Sequence, residues 1–272
     1  MYRSMIRPFL ARQIIFAFRI LLVIILASAN SNGQSGKITG EVIDSGGKPL
    51  AYANVFLNKT TLGDIANKDG SFLIAEVHEG TYELIGSFVG FSTYQKPIRV
   101  ESGQTYHIQI ILTPVASALE EVKVTTGRDR DWEKNLAMFK TVFIGTSAES
   151  RMCKIANPWV MNFERGSKKT KGRLIASASS PLEIENRALG YRVLYFLQKF
   201  SADFLQGSVY YYDFQGTMKF EEINSMDSSI NQQWQTRRMK AYHGSYRHWL
   251  STDASADPRI MFPRIGFLCS SC

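Results

Sequence analysis

Few residues of this 272-residue chain have the types and spacing that catalysis requires. Glu183 and Glu185 are two positions apart, so on a strand they would lie on one face, like an acid pair. Catalytic carboxylate pairs come instead from separate elements that face each other across a cleft. His243 and His248 are five positions apart, whereas two metal ligands on one helix face need a spacing of four. The sequence therefore predicts no catalytic residues and a protein that is not an enzyme.

Metal and redox motifs are also incomplete. Asn67–Gly70 resembles the start of a calcium loop, but the twelfth position is His78 where an EF-hand has Glu, and strands are expected on both sides. His78 and Glu79 are adjacent, whereas a zinc peptidase needs a wider His-Glu spacing and a distant His. Cys269–Cys272 is a C-x-x-C sequence without the strand that positions a redox thiol, and with Cys153 it gives no disulfide framework. No metal, cofactor or redox site is predicted.

The N-terminus has the features of a secretory signal peptide over residues 1–29. Four arginines precede the apolar run Ile20–Leu26, and Ala27–Ala29 supplies the small residues of a cleavage site. An uncleaved anchor is the alternative, but the apolar run is shorter than the roughly 20 residues of a spanning helix. We therefore expect an exported protein of the periplasm or outer membrane.

The charge of the chain does not favour a nucleic-acid partner. The formal net charge of +8 falls to +4 (8 − 4) when the four arginines of the signal are removed, which is only mildly basic. The tight basic run is Lys168, Lys169, Lys171 and Arg173. We interpret it as a solvated loop, with weak contact to anionic lipid as the alternative.

Alternating apolar residues predict a β-sandwich over residues 36–114. The clearest run with a period of two is Tyr106, Ile108, Ile110 and Leu112. Turns that contain Gly, Asn or Asp separate such runs at regular intervals, which indicates about seven short strands. The expected fold class is mostly β, with a seven-stranded antiparallel sandwich followed by an α+β region. The positions expected to shape its turns and core are Gly40, Pro49, Asn54, Asp69, Gly70, Phe72, Gly80, Tyr82 and Gly90.

In these motifs the chain resembles the carboxypeptidase D regulatory-like domain, a prealbumin-like seven-stranded sandwich. The family's motifs occur in order at Gly40–Val42, Gly47–Leu50, Ala53–Val55, Gly63, Asp69–Phe72, Gly80–Leu84 and Gly90–Phe91. One departure is Asp64-Ile65-Ala66, where the family often has Thr-x-Thr. The resemblance implies a domain that accompanies other domains and performs no chemistry of its own.

Residues 115–130 are interpreted as a linker. Leu119–Thr125 resembles the segment that joins this type of sandwich to the plug in TonB-dependent outer-membrane receptors. The resemblance implies an address in the bacterial cell envelope.

Residues 131–250 form the expected α+β region of unknown function. Trp132, Leu136, Phe139 and Phe143 lie on one face of a predicted helix that ends near Gly145. Further predicted elements are strands at Val193–Leu197, Gly207–Tyr212 and Met218–Ile223, and a helix at Trp234–Leu250 with Trp234, Arg238, Ala241, Ser245 and Trp249 on one stripe. In the motifs Phe143–Ser147, Cys153–Pro158, Pro181–Tyr191 and Tyr242–His248, the region resembles the C-terminal part of exported carboxypeptidase-regulatory-like proteins. Residues 251–272 are expected to be an irregular tail of a truncated chain.

Three functions are compatible with these features. The first is a non-catalytic binding or assembly module on the periplasmic side of the outer membrane, whose partner is an envelope protein or a glycan. The second is a carbohydrate-binding module, which requires Phe91, Tyr94 or Tyr210–Tyr212 to form an exposed aromatic platform. The third is a truncated TonB-dependent receptor or outer-membrane barrel relative, in which Val193–Ile223 is a membrane hairpin.

Overall fold

The computed structural model describes residues 35–115, 130–166 and 172–243. The described chain is mostly β, as the sequence predicts, and its strands form three sheets. In chain order the elements are β1 (Gly36–Asp44), β2 (Asn54–Leu57), β3 (Gly63–Ile65), β4 (Ser71–Val77), β5 (Gly80–Ser87), β6 (Tyr94–Val100), β7 (Thr105–Leu112), α1 (Arg130–Phe143), β8 (Cys153–Ile155), β9 (Met161–Arg165), β10 (Arg173–Ala178), β11 (Leu182–Asn186), β12 (Tyr191–Leu205), β13 (Ser208–Glu222) and α2 (Ser228–His243).

The first seven strands form the expected sandwich. Its two sheets have the strand orders β4-β1-β7 and β3-β2-β5-β6, and alternate residues of each sheet point into a common core. Ile38, Val42, Phe72, Ile74 and Leu84 are among the buried residues, as their period of two predicts.

One strand pair departs from the expected antiparallel arrangement. β1 and β7 run parallel, from Lys37 opposite Thr105 to Asp44 opposite Leu112. These are the first and last strands of the sandwich, so no tight turn joins them and none forces an antiparallel pairing. Gly40 lies in this pair, where any β-carbon would overlap the carbonyl of Ile108. The family's Gly-x-Val motif therefore allows the two backbones to approach.

The second region is built on the long hairpin of β12 and β13. β13 pairs with β12 along its length, while the other side of β12 is shared by β11 near Tyr195 and β10 near Asp203. β8 and β9 extend the sheet beyond β11 and β10. The region is therefore one six-stranded antiparallel sheet whose strands differ in length. Helix α1 precedes the sheet along the chain, and helix α2 follows it.

Helix α1 has the buried face that the sequence predicts. Leu136, Phe139 and Phe143 are buried in the core of this second sheet, and Trp132 packs against it. The ring centroids of Phe139 and Phe200 are 4.6 Å apart, and those of Phe143 and Tyr195 are 4.8 Å apart. Aromatic packing thus fixes α1 on the sheet.

The hairpin strands are longer than the sequence predicts. Apart from Gly207 and Ile223, the two predicted strands Gly207–Tyr212 and Met218–Ile223 belong to one strand, β13, which continues through Gly216. A β-carbon at Gly216 would overlap the ring of Tyr195, so the glycine marks a close approach and not a strand end.

Helix α2 begins at Ser228, earlier than predicted, and is described as far as His243. The Asp227 carboxylate accepts hydrogen bonds from the Ser229 side chain and, at 2.8 Å, from the Ser229 backbone N–H; these bonds stabilise the first turn and lower the pKa of Asp227. Ser245, Trp249 and the tail lie outside the described residues, as do residues 1–29, most of the linker, and Lys168, Lys169 and Lys171. The described helices are too short or too polar to cross a bilayer.

Candidate binding cleft between the sandwich and the second sheet

Several of the expected turn and core residues of the sandwich lie together at one end of β1. Gly70 has φ +81°, and its α-carbon hydrogens face the carbonyl of Val42 and the ring of Pro49. Asp69 accepts hydrogen bonds from the backbone N–H and the hydroxyl of Ser71, at 3.1 and 2.7 Å, and these bonds lower the pKa of its carboxyl. Both residues shape the turn between β3 and β4.

The other expected positions divide between core and surface. Phe72 is buried, and the Tyr82 hydroxyl donates to the carbonyl of His78 at 3.0 Å above Gly80. Asn54 and Gly90 lie instead at the surface cleft described below. Most of the motif therefore builds the fold, and these two positions line the cleft.

The candidate chemical residues do not converge. Glu183 and Glu185 alternate with buried Leu182 and Ile184, so their side chains lie on the outer face of β11, and Glu185 pairs with Arg187 at 3.1 Å. Among the described residues no three His, Cys, Asp or Glu side chains are grouped as metal ligands.

Residues of the other candidate sites have structural contacts or lie outside the described chain. Arg173, interpreted as part of a solvated loop, begins β10 and forms a bidentate ion pair with Asp203 at 2.7 and 2.8 Å. Cys153 is disulfide-bonded, while Cys269 and Cys272 lie outside the described residues. His243 is the last described residue of α2 and contacts the ring of Tyr242.

The outward face of the sandwich sheet β3-β2-β5-β6 is covered by the second region. Phe56 and Ile85 point away from the sandwich core, yet both are fully buried. They pack against Phe196 and Leu194 of β12, and the rings of Phe56 and Phe196 stack with centroids 5.1 Å apart. This contact, together with the hydrogen bonds described next, is called the seam.

Hydrogen bonds complete the seam at the β2–β3 turn. The N–H of Lys59 donates to the carbonyl of Met218, and the N–H of Phe220 donates to the carbonyl of Thr60, both at 2.9 Å. The turn thus pairs with the outer edge of β13 as a short parallel bridge.

The side chain of Asn58 connects both partners of the seam. Its Oδ1 accepts from the N–H of Met218 at 3.0 Å, and its Nδ2 donates to Glu83 at 2.6 Å. Two backbone bonds and this amide specify a single orientation of the sandwich on the hairpin.

A cleft of about 260 Å³ opens beside the seam. One wall comes from the sandwich, at Tyr52, Asn54, residues 87–91 and Thr93, and the other from residues 178–181 and 196–198. Buried Phe196 belongs to both the seam and the cleft. Every described residue that lines the cleft is uncharged, and the polar ones carry only hydroxyl or amide groups.

A second cavity, of about 500 Å³, has a different character. It lies between α2 and the turn after β11, and Glu149, Arg237 and Lys240 bring charges to its wall. Hydrogen bonding by the Glu149 backbone and Ser147, with the charge of Lys240, lowers the pKa of Glu149. A third cavity, of about 550 Å³, is also lined by charged residues, Lys59 and Glu76, so the cleft beside the seam differs from both in its uncharged described lining.

The aromatic platform of the carbohydrate-binding hypothesis does not form at Tyr210–Tyr212. Tyr212 packs against the core while Tyr210 is 80% exposed. The pairing of β12 with β13 shifts register here, from Asp203 opposite Tyr211 to Phe204 opposite Val209, so Tyr210 is left out of the regular alternation. Tyr94 also packs against the sandwich core, and burial raises the pKa of its hydroxyl. Phe91 is half-buried and lines the cleft.

Sequence reasoning missed three residues of this region: Tyr52, Asn58 and Phe196. Tyr52 lies in a turn between β1 and β2, has φ +65° and is 61% exposed beside the cleft. Asn58 could have been noticed as a turn residue, but its contact with Met218 spans 160 positions. Nothing in the local pattern signals such a contact.

Comparison with known proteins agrees with the motif resemblance. Residues 38–124 match the family model described as the CarboxypepD_reg-like domain. The chain is also 30% identical over 112 residues to the TonB-dependent receptor SusC of Bacteroides thetaiotaomicron. That match covers 40% of this chain and 10% of the receptor, so the chain aligns with about a tenth of the receptor's length. The resemblance stated from the motifs is thus confirmed.

Solved structures are similar over about a third of the chain. The minor pilin of Streptococcus agalactiae is 17% identical with a TM-score of 0.27, covering 30% of this chain and 45% of the pilin. Catechol 1,2-dioxygenase of an Acinetobacter species is 10% identical with a TM-score of 0.25, covering 32% of this chain and 54% of the enzyme. At these values the likeness carries no conclusion about function.

Proposed function

We propose that this protein, whose residues 38–124 form a CarboxypepD_reg-like domain related to that of TonB-dependent receptors, is a non-catalytic binding or assembly module of the bacterial cell envelope. The observation that carries the proposal is the docking of this domain through the seam. The docked domain forms one wall of a cleft whose other wall belongs to the second region. Clefts between domains are common binding sites, because two surfaces can enclose a ligand that neither could enclose alone.

The non-catalytic part of the proposal is supported by the placement of the acidic pair. Glu183 and Glu185 share the outer face of one strand, and an ion pair to Arg187 occupies Glu185. A general acid and a base need to face a substrate from two sides.

An activity screen tests this part directly. Full-length protein incubated with peptide and glycoside substrates is expected to give no turnover. Turnover that is lost in Glu183→Ala but kept in Glu164→Ala, an exposed glutamate on β9, would contradict the proposal.

The proposed address is the periplasm, at the inner surface of the outer membrane. The basic and apolar N-terminal segment and the similarity to an outer-membrane receptor support it. Fractionation of native cells, with a carbonate wash of the outer-membrane pellet, tests the address. We expect the wash to release the protein. Retention would favour the receptor-like alternative, in which residues 193–223 contact lipid.

A further inference from the structure

We propose that the uncharged cleft beside the seam binds a neutral saccharide, with Tyr52 as the aromatic surface for one sugar ring. The inference rests on the proposed function as a binding module and names the ligand of its cleft. Neither the family match nor the receptor similarity places a ligand here.

The described lining of the cleft has no charged side chain, which disfavours the binding of ionic ligands. About a fifth of the chain is Asp, Glu, Lys or Arg (21%), yet the described lining contains none of them. A charged ligand would lose hydration on entering and would gain no opposite charge in return. A neutral ligand has no such cost.

The polar groups of the cleft match a ligand rich in hydroxyls. Asn54, Ser87, Thr93 and Ser180 each carry an amide or hydroxyl that can both donate and accept hydrogen bonds. Within the described residues, these side chains make no hydrogen bond to the protein. They are therefore available to a ligand, and a site built from such groups discriminates strongly for hydroxyl-bearing partners.

Tyr52 supplies the apolar surface that a sugar ring needs. Its backbone has φ +65°, and the Tyr52 N–H donates to the carbonyl of Ala66 at 2.9 Å, so the residue is fixed at the mouth of the cleft. The Tyr52 side chain is 61% exposed, so a sugar ring stacked on it would remove apolar surface from water. An aromatic ring also presents an apolar face next to a polar hydroxyl.

The size of the cleft limits the ligand to about one ring within it. A volume of about 260 Å³ is below the range typical of drug-sized ligands. A peptide bound by strand addition would instead need a continuous open strand edge, whereas the walls here are largely loops. The rest of a longer saccharide would extend into solvent past Tyr52.

Calorimetric titration of the full-length protein tests the inference. The probes are neutral oligosaccharides of glucose, mannose, xylose and N-acetylglucosamine, with an oligomer of glucuronic acid as the charged probe and a neutral peptide as the alternative ligand. We expect at least one neutral saccharide to bind with a dissociation constant on the order of 1 mM, as suits a one-ring site, and the charged probe to give no heat.

Two variants locate the site. Tyr52→Gly keeps the left-handed backbone, since glycine adopts φ +65° without strain, and should weaken binding about ten-fold. Tyr210→Ala removes an even more exposed ring (80%) outside the cleft and should leave binding unchanged. Urea midpoints of both variants establish that they are folded.

Three outcomes would overturn the inference: no saccharide gives saturable heat, only the peptide binds, or Tyr210→Ala weakens binding as much as Tyr52→Gly. If the protein is nevertheless released from the outer-membrane pellet by carbonate and shows no turnover, the proposed function stands. In that case only the proposal that the ligand is a neutral saccharide is rejected.

Discussion

Phe56 is the residue on which the apolar part of the seam depends. It points out of the sandwich, is fully buried and stacks on Phe196. Phe56→Ala should lower the free energy of unfolding by about 3–5 kcal/mol, because it removes a large buried side chain at a site that cannot collapse easily. Urea denaturation measures this loss. Leu73→Ala, on the outward face of the other sheet and 50% exposed, is the matched control and should change stability little.

The ion pair between Asp203 and Arg173 should make stability depend on pH. The hydrogen bond from Arg173 lowers the pKa of Asp203 below its ordinary value of 3.8. Because the pKa of Asp203 is lower in the folded protein than in the unfolded chain, its carboxylate stabilises the folded state above pH 3.8. This stabilisation is lost as the pH falls through the pKa of Asp203 in the folded protein. Asp203→Asn should therefore have a lower urea midpoint than the wild type at pH 7, and the two midpoints should converge in acid. A constant difference at all pH values would contradict the assignment.

The core of the sandwich was predictable from the sequence at the level of single residues, and the seam was not. Phe72 and Leu84 follow an alternating pattern, which by itself decides which face of a strand is buried. The same pattern places Phe56 and Ile85 outside, which is correct for the sandwich alone. Their burial depends on β12, more than 100 positions away along the chain. Local periodicity carries no information about such a partner.

At the scale of elements, α2 is attached to the sheet mainly through polar and aromatic contacts at the turn before β12. The Trp234 indole donates to the carbonyl of Arg187 at 2.9 Å. Arg238 donates to the carbonyls of Leu189 and Gly190, pairs with Glu222 at 2.9 Å and lies 4.0 Å from the centre of the Tyr191 ring. The described part of α2 buries no residue fully, so these contacts position the helix.

Gly190→Ala should detach α2 from this turn. Gly190 has φ +69°, and an added β-carbon would overlap the Trp234 indole. The strained backbone should lower stability by about 1–3 kcal/mol. The Trp234 fluorescence should also shift to the red, as measured by difference from Trp234→Phe. Gly207→Ala, with a similar φ of +84° but open space around it, is the control, and should lower stability without the spectral shift.

Among the elements, α1 was predictable and the long hairpin was not. α1 has a clear apolar stripe of Trp132, Leu136, Phe139 and Phe143, and that stripe is its packed face. The sequence predicts two separate strands, Gly207–Tyr212 and Met218–Ile223, where the structure has the single strand β13. Gly216 is tolerated in the strand because the Tyr195 ring needs its space.

At the scale of the whole molecule, the seam should make the sandwich and the second region unfold together. Phe56, Ile85 and Phe196 exclude water from the contact, while Asn58 and the β2–β3 turn fix its register. Opening the seam exposes these buried groups, so neither part should unfold without lowering the stability of the other. The wild-type protein should therefore show a single urea transition, with coincident midpoints by tryptophan fluorescence and far-ultraviolet circular dichroism.

A variant that opens the seam should separate the two transitions. The four tryptophans of the chain all lie after residue 130, so fluorescence reports on the second region while circular dichroism reports on both parts. In Phe196→Ala/Asn58→Ala the two midpoints should diverge, because each part then unfolds with its own stability. Asn67→Ala, which removes an exposed side-chain amide that makes none of the seam contacts, should keep them coincident. Divergent midpoints in the wild type would contradict the coupling. They would also mean that the cleft has no fixed width, since its two walls belong to the two parts that the seam holds together.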